Sequence, residues 1–156
     1  MKLGFISDTH GGLKDTVQAL EELKGAEQIC HIGDVLYHGP RNDLPKNYNP
    51  KELANILKQR NDMIYVRGNC DADVDEMVLG QDLSTKSRIV SFDGFRFFHI
   101  HGYEETEEER IQQAKEHWCQ VVVSGHTHVK ALEEKDEIIV LNPGSTTLPK
   151  DGSRSY

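Results

Sequence analysis

Five short apolar segments of this chain each end in a glycine-containing cluster of Asp, Asn or His side chains. In chain order the clusters are Ser7-Asp8-Thr9-His10-Gly11, Gly33-Asp34, Gly68-Asn69-Cys70-Asp71, His101-Gly102 and Gly125-His126-Thr127-His128. In open α/β sheets, ligands bind in the crevice beyond the carboxyl ends of the strands. The pattern therefore predicts an α/β fold in which donors far apart in the sequence converge on one site.

Helix and strand signals alternate along the first half of the chain. Apolar spacing predicts helices over 13–24 and 50–60, and Asn49 followed by Pro50 is typical of a helix start. The predicted strands are 2–7, 28–32, 63–67, 88–92, 95–100, 120–124 and 137–141. Asp93-Gly94 indicates a two-residue hairpin turn between two of them. This order predicts an α/β layered domain with a mixed sheet.

A third helix is predicted from the capping-box spacing of Thr106 and Glu109. Its apolar stripe consists of Ile111, Ala114 and Trp118, and the stripe of the first helix consists of Leu13, Val17, Leu20 and Leu23. The chain contains no repeat or low-complexity linker, so we expect one domain over 1–156.

Charge and cysteine content restrict the partners and the compartment. The formal net charge is -8 at pH 7, so general nucleic-acid binding is not expected, although a nuclease with local positive charge stays open. Cys30, Cys70 and Cys119 show no C-x-x-C spacing, which predicts reduced thiols in a cytoplasmic protein. The opening segment is too short for a signal peptide, and no apolar run approaches the ~20 residues of a membrane span.

The clustered donors are carboxylate, carboxamide and imidazole groups. Asp8 and His10 are two residues apart, as are His126 and His128, and this spacing points both side chains of a pair the same way in an extended segment. Such donors suit Mn²⁺, Fe, Zn²⁺ or Mg²⁺ without deciding among them. Seven ligands are too many for one ion and fit two that share a bridge, an arrangement used for in-line displacement at phosphorus. Gly125-His126-Thr127-His128 is moderately specific by itself, the other motifs are weak alone, and their joint placement carries the prediction.

The ordered motifs resemble those of the calcineurin-like metallophosphoesterases along the whole chain. The segments 33–42 (GDVLYHGPRN), 66–77 (VRGNCDADVDEM) and 142–145 (NPGS) are most similar to the small bacterial phosphodiesterases of the YfcE type. The resemblance implies a four-layer αββα sandwich of two mixed β-sheets flanked by helices. Related small members continue past the final residues SY, so an outer sheet edge and an oligomer contact are expected to be short or missing here.

The resemblance also implies a ligand set for two divalent ions. One ion would be held by Asp8, His10 and His128, and the other by Asn69, His101 and His126. Asp34 would bridge the two. Mn²⁺ is the expected metal, with Ni²⁺, Zn²⁺, Fe and Mg²⁺ as alternatives. His99 does not match a ligand position, and His31, His38 and His117 are expected to be structural or exposed.

The implied reaction is hydrolysis of a small phosphodiester by in-line attack of a metal-bridging hydroxide. The alternatives are a phosphomonoesterase, a non-catalytic scaffold that binds a protein partner, and a single-metal oxidoreductase. Arg41 and Asn42 are candidates for contacting the substrate phosphate, with Arg67 as a further candidate. A homo-oligomer is also compatible with the resemblance.

Cys70 departs from the superfamily, in which many members carry a histidine at this position near the leaving group. The YfcE-type branch shares the cysteine. We therefore expect catalysis to depend on the metals and on positioning, with Asp71 orienting the loop or a water molecule. A competing hypothesis makes Cys70 a covalent nucleophile. A second departure is Tyr103, where related sequences often carry another histidine.

Overall fold

A computed structural model describes residues 1–156 and contains eight strands and four helices. The strands are β1 Leu3–Ile6, β2 Gln28–His31, β3 Met63–Tyr65, β4 Ser87–Phe92, β5 Phe95–Ile100, β6 Val121–Val123, β7 Ala131–Lys135 and β8 Ile138–Asn142. The helices are α1 Leu13–Glu22, α2 Pro50–Lys58, α3 Asp73–Leu79 and α4 Glu107–Glu116. None of the helices has the length and apolar composition of a membrane span.

The strands form two sheets. The smaller sheet has the order β1-β2-β3 and is entirely parallel. It is parallel because α1 and α2 each return the chain to the end of the sheet at which the preceding strand began. The larger sheet has the order β4-β5-β6-β8-β7, in which β5, β6 and β8 are parallel and the two outer pairs are antiparallel. The expectation of mixed sheets therefore holds for the larger sheet only.

Three apolar clusters fix the order of the layers. Ile29 of β2 packs with residues of α1, α2 and α3, whereas its neighbour Cys30 points to the opposite face, towards Val121 and Val123 of β6. On the outer face of the larger sheet, Phe98 and Val140 pack against α4. The helices thus cover the outer face of each sheet and the two inner faces meet, which is the predicted αββα sandwich.

The predicted start signals of two helices are confirmed. The side chain of Asn49 accepts a hydrogen bond from the backbone N–H of Glu52 at 3.1 Å. The Thr106 hydroxyl accepts from the Glu109 N–H, and the Glu109 carboxylate accepts from the Thr106 N–H, both at 3.2 Å. The hairpin is also confirmed, since Asp93 and Gly94 take left-handed φ values of 49° and 82° between β4 and β5.

Two apolar side chains of the predicted helix stripes are exposed to solvent rather than buried. Trp118 follows the end of α4 in a left-handed conformation and is 79% exposed. Val17 of α1 is 40% exposed, although Leu20 of the same helix is buried. The stripe of α4 ends one turn earlier, at Ala114, because His117 already terminates the helix.

Candidate metal centre

The loops that follow β1, β2, β3, β5 and β6 meet at one end of the two sheets and bring all seven predicted ligands together. Asp8, His10 and His128 place one donor atom each within 4.8 Å of one another. Asp34, His101 and His126 do the same. The amide oxygen of Asn69 lies 3.1 Å from His126 Nδ1, so Asn69 joins the second group.

Asp34 stands between the two groups. Its Oδ2 atom is 3.6 Å from His10 Nε2 and 3.1 Å from His101 Nε2. Its other oxygen, Oδ1, accepts a hydrogen bond from the backbone N–H of Cys70 at 2.9 Å. One carboxylate oxygen therefore faces both donor groups while the other is held by the protein, as a bridging ligand requires.

Three of the histidines present Nε2 to the centre because Nδ1 is engaged by a backbone carbonyl. The Nδ1 atoms of His10, His101 and His128 lie 2.8, 2.6 and 2.6 Å from the carbonyl oxygens of Tyr37, Ile32 and Leu148. A carbonyl oxygen only accepts, so each Nδ1 carries a hydrogen and Nε2 is the nitrogen that faces inwards, where a neutral ring would present its lone pair to a cation. This second contact sets the tautomer and orientation that a metal ligand needs.

Several of the inward atoms lack the partners that buried polar groups normally have. The Nε2 atoms of His10 and His128 are 3.2 Å apart, and with hydrogen on both Nδ1 atoms neither has one to donate. Asp8 Oδ1 and His101 Nε2 are buried and, although charged or polar atoms lie within 3.2 Å of each, neither makes a hydrogen bond of suitable geometry. Meanwhile Asp8 Oδ2 accepts from the Ser7 hydroxyl and from the backbone N–H of His126. The donor set therefore fits cations bound among these atoms.

The carboxylates and imidazoles of the centre shift one another's pKa values. Burial disfavours the charged form of Asp8, but the neighbouring His101, His10 and His128 hold its pKa well below the usual value. Burial likewise opposes protonation of His101, yet the carboxylates of Asp8 and Asp34 raise its pKa to about 9. The carboxylates therefore retain negative charge, which favours binding of divalent cations.

Backbone strain is concentrated at the ligands. Five of the seven have a left-handed φ, and they are Asp8, His10, Asp34, His126 and His128. Such conformations cost free energy at non-glycine residues and cluster at functional sites. Two glycines also permit close approach: a Cβ atom at Gly68 would overlap Asp34 Oδ1, and one at Gly125 would overlap Ser7 Oγ. Space around the predicted ligands therefore requires glycine at positions 68 and 125.

Asp71 links the loop that follows β2 to the loop that follows β3. Its carboxylate accepts the backbone N–H groups of Asp34, Val35 and Gly68 at 2.9, 2.9 and 2.7 Å. Burial raises the pKa of Asp71 to about 6, although these N–H groups favour the ionised form. These contacts are consistent with loop orientation, one of the two roles that the sequence suggested for Asp71.

The NPGS segment supplies further support that sequence reasoning did not assign. Ser145 donates its hydroxyl hydrogen to the backbone carbonyl of Asp8 at 2.7 Å. The side-chain amide of Asn142 donates to the carbonyl of Gly125 at 3.0 Å and to the Thr127 hydroxyl at 3.1 Å. Both side chains are buried and fix the loops that carry Asp8, His126 and His128.

A cleft of about 840 Å³ opens onto the centre. Among its lining residues are five predicted ligands and the other predicted site residues: His10, Asp34, Asn69, His126, His128, Arg41, Asn42, Cys70 and Asp71. Asn42 also donates its side-chain amide to the His38 carbonyl at 2.8 Å. Lys150 lines the cleft too, a cation that no sequence motif indicated. Arg67, in contrast, points to Asp73 at 3.0 Å and does not line the cleft.

The Cys70 thiol lies at the edge of the centre. Its sulfur, one His10 nitrogen and one Asp34 oxygen are within 4.8 Å of one another. Burial, followed by the charges of Asp34 and Asp71, raises the pKa of Cys70 to about 12. Without bound cations the thiol would stay protonated near neutral pH, so the protein's own charges do not activate Cys70 as a nucleophile.

The remaining residues with sequence predictions lie outside the donor groups. Tyr103 flanks the second group, with its ring centroid 6.3 Å from that of His126 and 6.2 Å from that of His101. His99 is buried between the sheets against Phe5, and burial lowers its pKa to about 3. His31 is buried in β2, His38 is half-buried and His117 is exposed at the end of α4.

An αββα sandwich with two adjoining donor groups at the ends of its strands is the architecture of a metal-dependent phosphoester hydrolase. Residues 1–156 match the calcineurin-like phosphoesterase superfamily domain, and the chain belongs to that superfamily.

Two named phosphodiesterases are similar to this chain in sequence, and one of them is also similar in structure. The chain is 40% identical to the phosphodiesterase YfcE of Escherichia coli, a match that covers 98% of this chain and 83% of the relative. It is 29% identical to the phosphodiesterase MJ0936 of Methanocaldococcus jannaschii, over 92% and 83% of the two chains. The solved structure of YfcE superposes with a TM-score of 0.87, at 38% identity over 98% of this chain and 84% of that one.

Proposed function

We propose that this protein hydrolyses phosphodiesters with two divalent cations held at the candidate metal centre. The observation that carries the proposal is the position of Asp34 Oδ2, which lies within 3.6 Å of His10 Nε2 in one donor group and 3.1 Å of His101 Nε2 in the other. A pair of cations that share a carboxylate is the recognised arrangement for displacement at phosphorus.

The seven ligands divide into two sets around this bridge. Asp8, His10 and His128 would hold one cation, and Asn69, His101 and His126 the other. The amide of Asn69 is uncharged, so the second cation would keep more of its positive charge. When bound by these residues, two divalent ions would supply Lewis-acid chemistry, namely a lower pKa for a shared water molecule and neutralisation of charge on the phosphoryl oxygens.

Other residues of the cleft would bind and orient the substrate. Arg41 and Lys150 bring two positive charges to the cleft of a chain whose net charge is -8. The planar guanidinium of Arg41 suits two phosphate oxygens, whereas Lys150 would act as a point charge. The protonated thiol of Cys70 would lie beside the departing group without forming a covalent bond to phosphorus. Asn42 donates one amide hydrogen to the His38 carbonyl and keeps its second amide hydrogen for a phosphate oxygen of the substrate.

Diesters are favoured because both YfcE and MJ0936 carry the name phosphodiesterase. Mn²⁺ is the proposed metal because oxygen and imidazole donors suit it and no thiolate is required. The three free cysteines support a reducing, cytoplasmic setting. The formal charge of -8 supports small phosphodiesters over long nucleic acids as substrates.

The test compares bis-para-nitrophenyl phosphate with para-nitrophenyl phosphate as substrates of the purified protein loaded with Mn²⁺. We expect faster turnover of the diester and its loss in His126→Ala. His117→Ala is the matched control, because His117 is exposed at the end of α4 and lies outside the centre. Faster turnover of the monoester would make the protein a phosphomonoesterase, and no turnover of either ester would contradict the proposal.

A further inference from the structure

A buried side-chain bridge joins the loops that follow β1 and β2. The hydroxyl oxygen of Thr9 lies 2.9 Å from His31 Nε2 and 2.8 Å from the carbonyl oxygen of Val35. On the other side of the imidazole ring, the backbone N–H of Gly33 donates to His31 Nδ1 at 3.1 Å. Thr9 and His31 are fully buried, and neither belongs to the proposed ligand set.

These contacts fix the direction of every hydrogen bond in the bridge. Because His31 Nδ1 accepts from Gly33, the neutral ring carries its hydrogen on Nε2 and donates it to the Thr9 oxygen. The Thr9 hydroxyl hydrogen then goes to the carbonyl of Val35. Tyr65 stacks on the ring of His31, with centroids 5.7 Å apart and an interplanar angle of 21°, and so fixes the plane of the imidazole.

The bridge attaches to the backbone beside three strained residues. Thr9 lies between Asp8 and His10, whose φ values are 53° and 44°, and Gly33 directly precedes Asp34, whose φ is 58°. Left-handed conformations of this kind persist at non-glycine residues only where the surrounding structure holds them.

Backbone hydrogen bonds between the two turns hold only part of this strained geometry. The N–H groups of Asp8 and His10 donate to the carbonyls of Gly33 and Asp34, both at 3.0 Å, and so continue the pairing of β1 with β2. The N–H of Gly33 points instead to His31, and this is the contact at the turn that leads into Asp34. The imidazole therefore adds a side-chain link between the two turns, beside the contacts of Thr9 with the Val35 carbonyl and of His10 with the Tyr37 carbonyl.

We propose that His31 is a positioning residue, which acts through Thr9 and Gly33 to hold Asp8, His10 and Asp34 in the geometry that binds cations. The inference rests on the proposed metal centre and assigns His31 no contact with substrate or metal. It predicts that breaking the bridge weakens metal binding even where the protein remains folded.

The first test measures Mn²⁺ affinity by isothermal titration calorimetry in Thr9→Val, His31→Leu and the double variant. Thr9→Val removes the hydroxyl with little change in volume, so it carries the test if His31→Leu does not fold. The matched control is Thr16→Val, since Thr16 is equally buried but donates its hydroxyl hydrogen to the Gly12 carbonyl at 2.7 Å. Circular dichroism confirms that each variant is folded.

We expect each single variant in the bridge to bind Mn²⁺ about tenfold more weakly than the wild type, within the usual range for residues that orient ligands. The double variant should bind no more weakly than His31→Leu, because both changes break the same bridge. Thr16→Val should keep wild-type affinity even if its melting temperature falls. A purely structural role would lower melting temperatures in Thr9→Val and Thr16→Val alike without changing the affinity of either.

The second test needs neither metal nor activity. In ¹⁵N-labelled, metal-free protein, the His31 ring should give the nuclear magnetic resonance pattern of a neutral imidazole with hydrogen on Nε2. Hydrogen on Nδ1 would overturn the bridge. Unchanged Mn²⁺ affinity in both single variants would overturn the positioning role and leave the proposed function intact. No Mn²⁺ binding by the wild type would overturn the proposed function and, with it, the positioning role.

Discussion

The carboxylate oxygen Oδ2 of Asp34 lies 3.1 Å from Nε2 of His101, although the strands that precede these residues, β2 and β5, belong to different sheets. The contact therefore depends on how the two sheets pack. Val66, directly after β3 of the small sheet, packs with Val121 and Val123 of the large sheet in the apolar layer between them. The sandwich core thus sets the distance between the two halves of the metal centre.

Asp34→Asn should disrupt cation binding more than it disrupts the loop. The amide oxygen of asparagine can still accept the Cys70 N–H, but the shared negative charge is lost. We expect fewer than two Mn²⁺ per chain by elemental analysis and at least about a 100-fold loss of diester turnover. The control is Asp43→Asn, because Asp43 is exposed in the loop that carries Arg41 and Asn42. Two bound ions with wild-type turnover in Asp34→Asn would refute the bridging role.

Cys70→Ala distinguishes a protonated thiol from a covalent nucleophile. Because the pKa of Cys70 is raised to about 12, a thiolate is scarce near neutral pH. We expect the variant to retain diester turnover within about tenfold of the wild type, a smaller loss than the roughly 100-fold or more that removal of a general acid typically causes. Metal content should stay the same. Abolished turnover of an activated diester with both metals still bound would instead favour the nucleophile.

Asp71→Asn tests the support below the ligand loops. An amide offers one acceptor oxygen where the carboxylate offers two, so at least one of three buried N–H groups loses its partner. We expect a loss of about 1–3 kcal/mol in the free energy of unfolding, measured with denaturant. In the control Asp73→Asn, the side chain is 93% exposed and pairs with Arg67, so the loss should stay below about 1 kcal/mol. Equal losses in the two variants would contradict the role of Asp71.

The buried His31 should make stability depend on pH. Burial lowers its pKa to about 3 in the folded protein, whereas an unfolded chain has a value of about 6.5. Between these values the unfolded state binds a proton that the folded state does not. The free energy of unfolding should therefore fall as the pH drops below about 6.5, by up to about 1.4 kcal/mol per unit.

The measurement compares wild type with His31→Gln in buffer that contains a chelator, so that metal binding does not contribute. The wild type should lose stability more steeply than the variant between about pH 6.5 and pH 4. Parallel pH profiles for the two proteins would show that His31 is not the group that titrates on unfolding.

The convergence of the ligands could be predicted because it follows from topology. Asp8, Asp34 and Asn69 each come directly after a parallel strand of one sheet, and parallel strands bring their carboxyl ends to the same edge. The capping signals at Asn49 and Thr106 were equally local and are confirmed. Where a residue's position depends only on its own loop or strand, the order of residue types is enough to predict it.

Two elements were missed because their sequences lack an apolar period. β7 has the sequence Ala-Leu-Glu-Glu-Lys and lies at the edge of the larger sheet, where only backbone pairing with β8 defines it. α3 is short, and Met77 and Val74 on its surface are 77% and 60% exposed. Tertiary context defines both elements, and the residue pattern alone does not.

The supporting contacts could not be foreseen for a different reason. The link from Thr9 to His31, and the one from Ser145 to Asp8, join residues that are distant in the chain. Their hydrogen bonds depend on strand register and on side-chain rotamers. The left-handed backbone at His126 and His128 likewise depends on how the whole loop closes.

Anomalous diffraction from crystals of the Mn²⁺-loaded protein tests the central claim most directly. Two peaks should lie roughly 3.5–4 Å apart, one among Asp8, His10 and His128 and the other among Asn69, His101 and His126. Asp34 should contact both. A single peak, or two peaks of which only one contacts Asp34, would contradict a carboxylate-bridged pair of cations and the hydrolysis that depends on it.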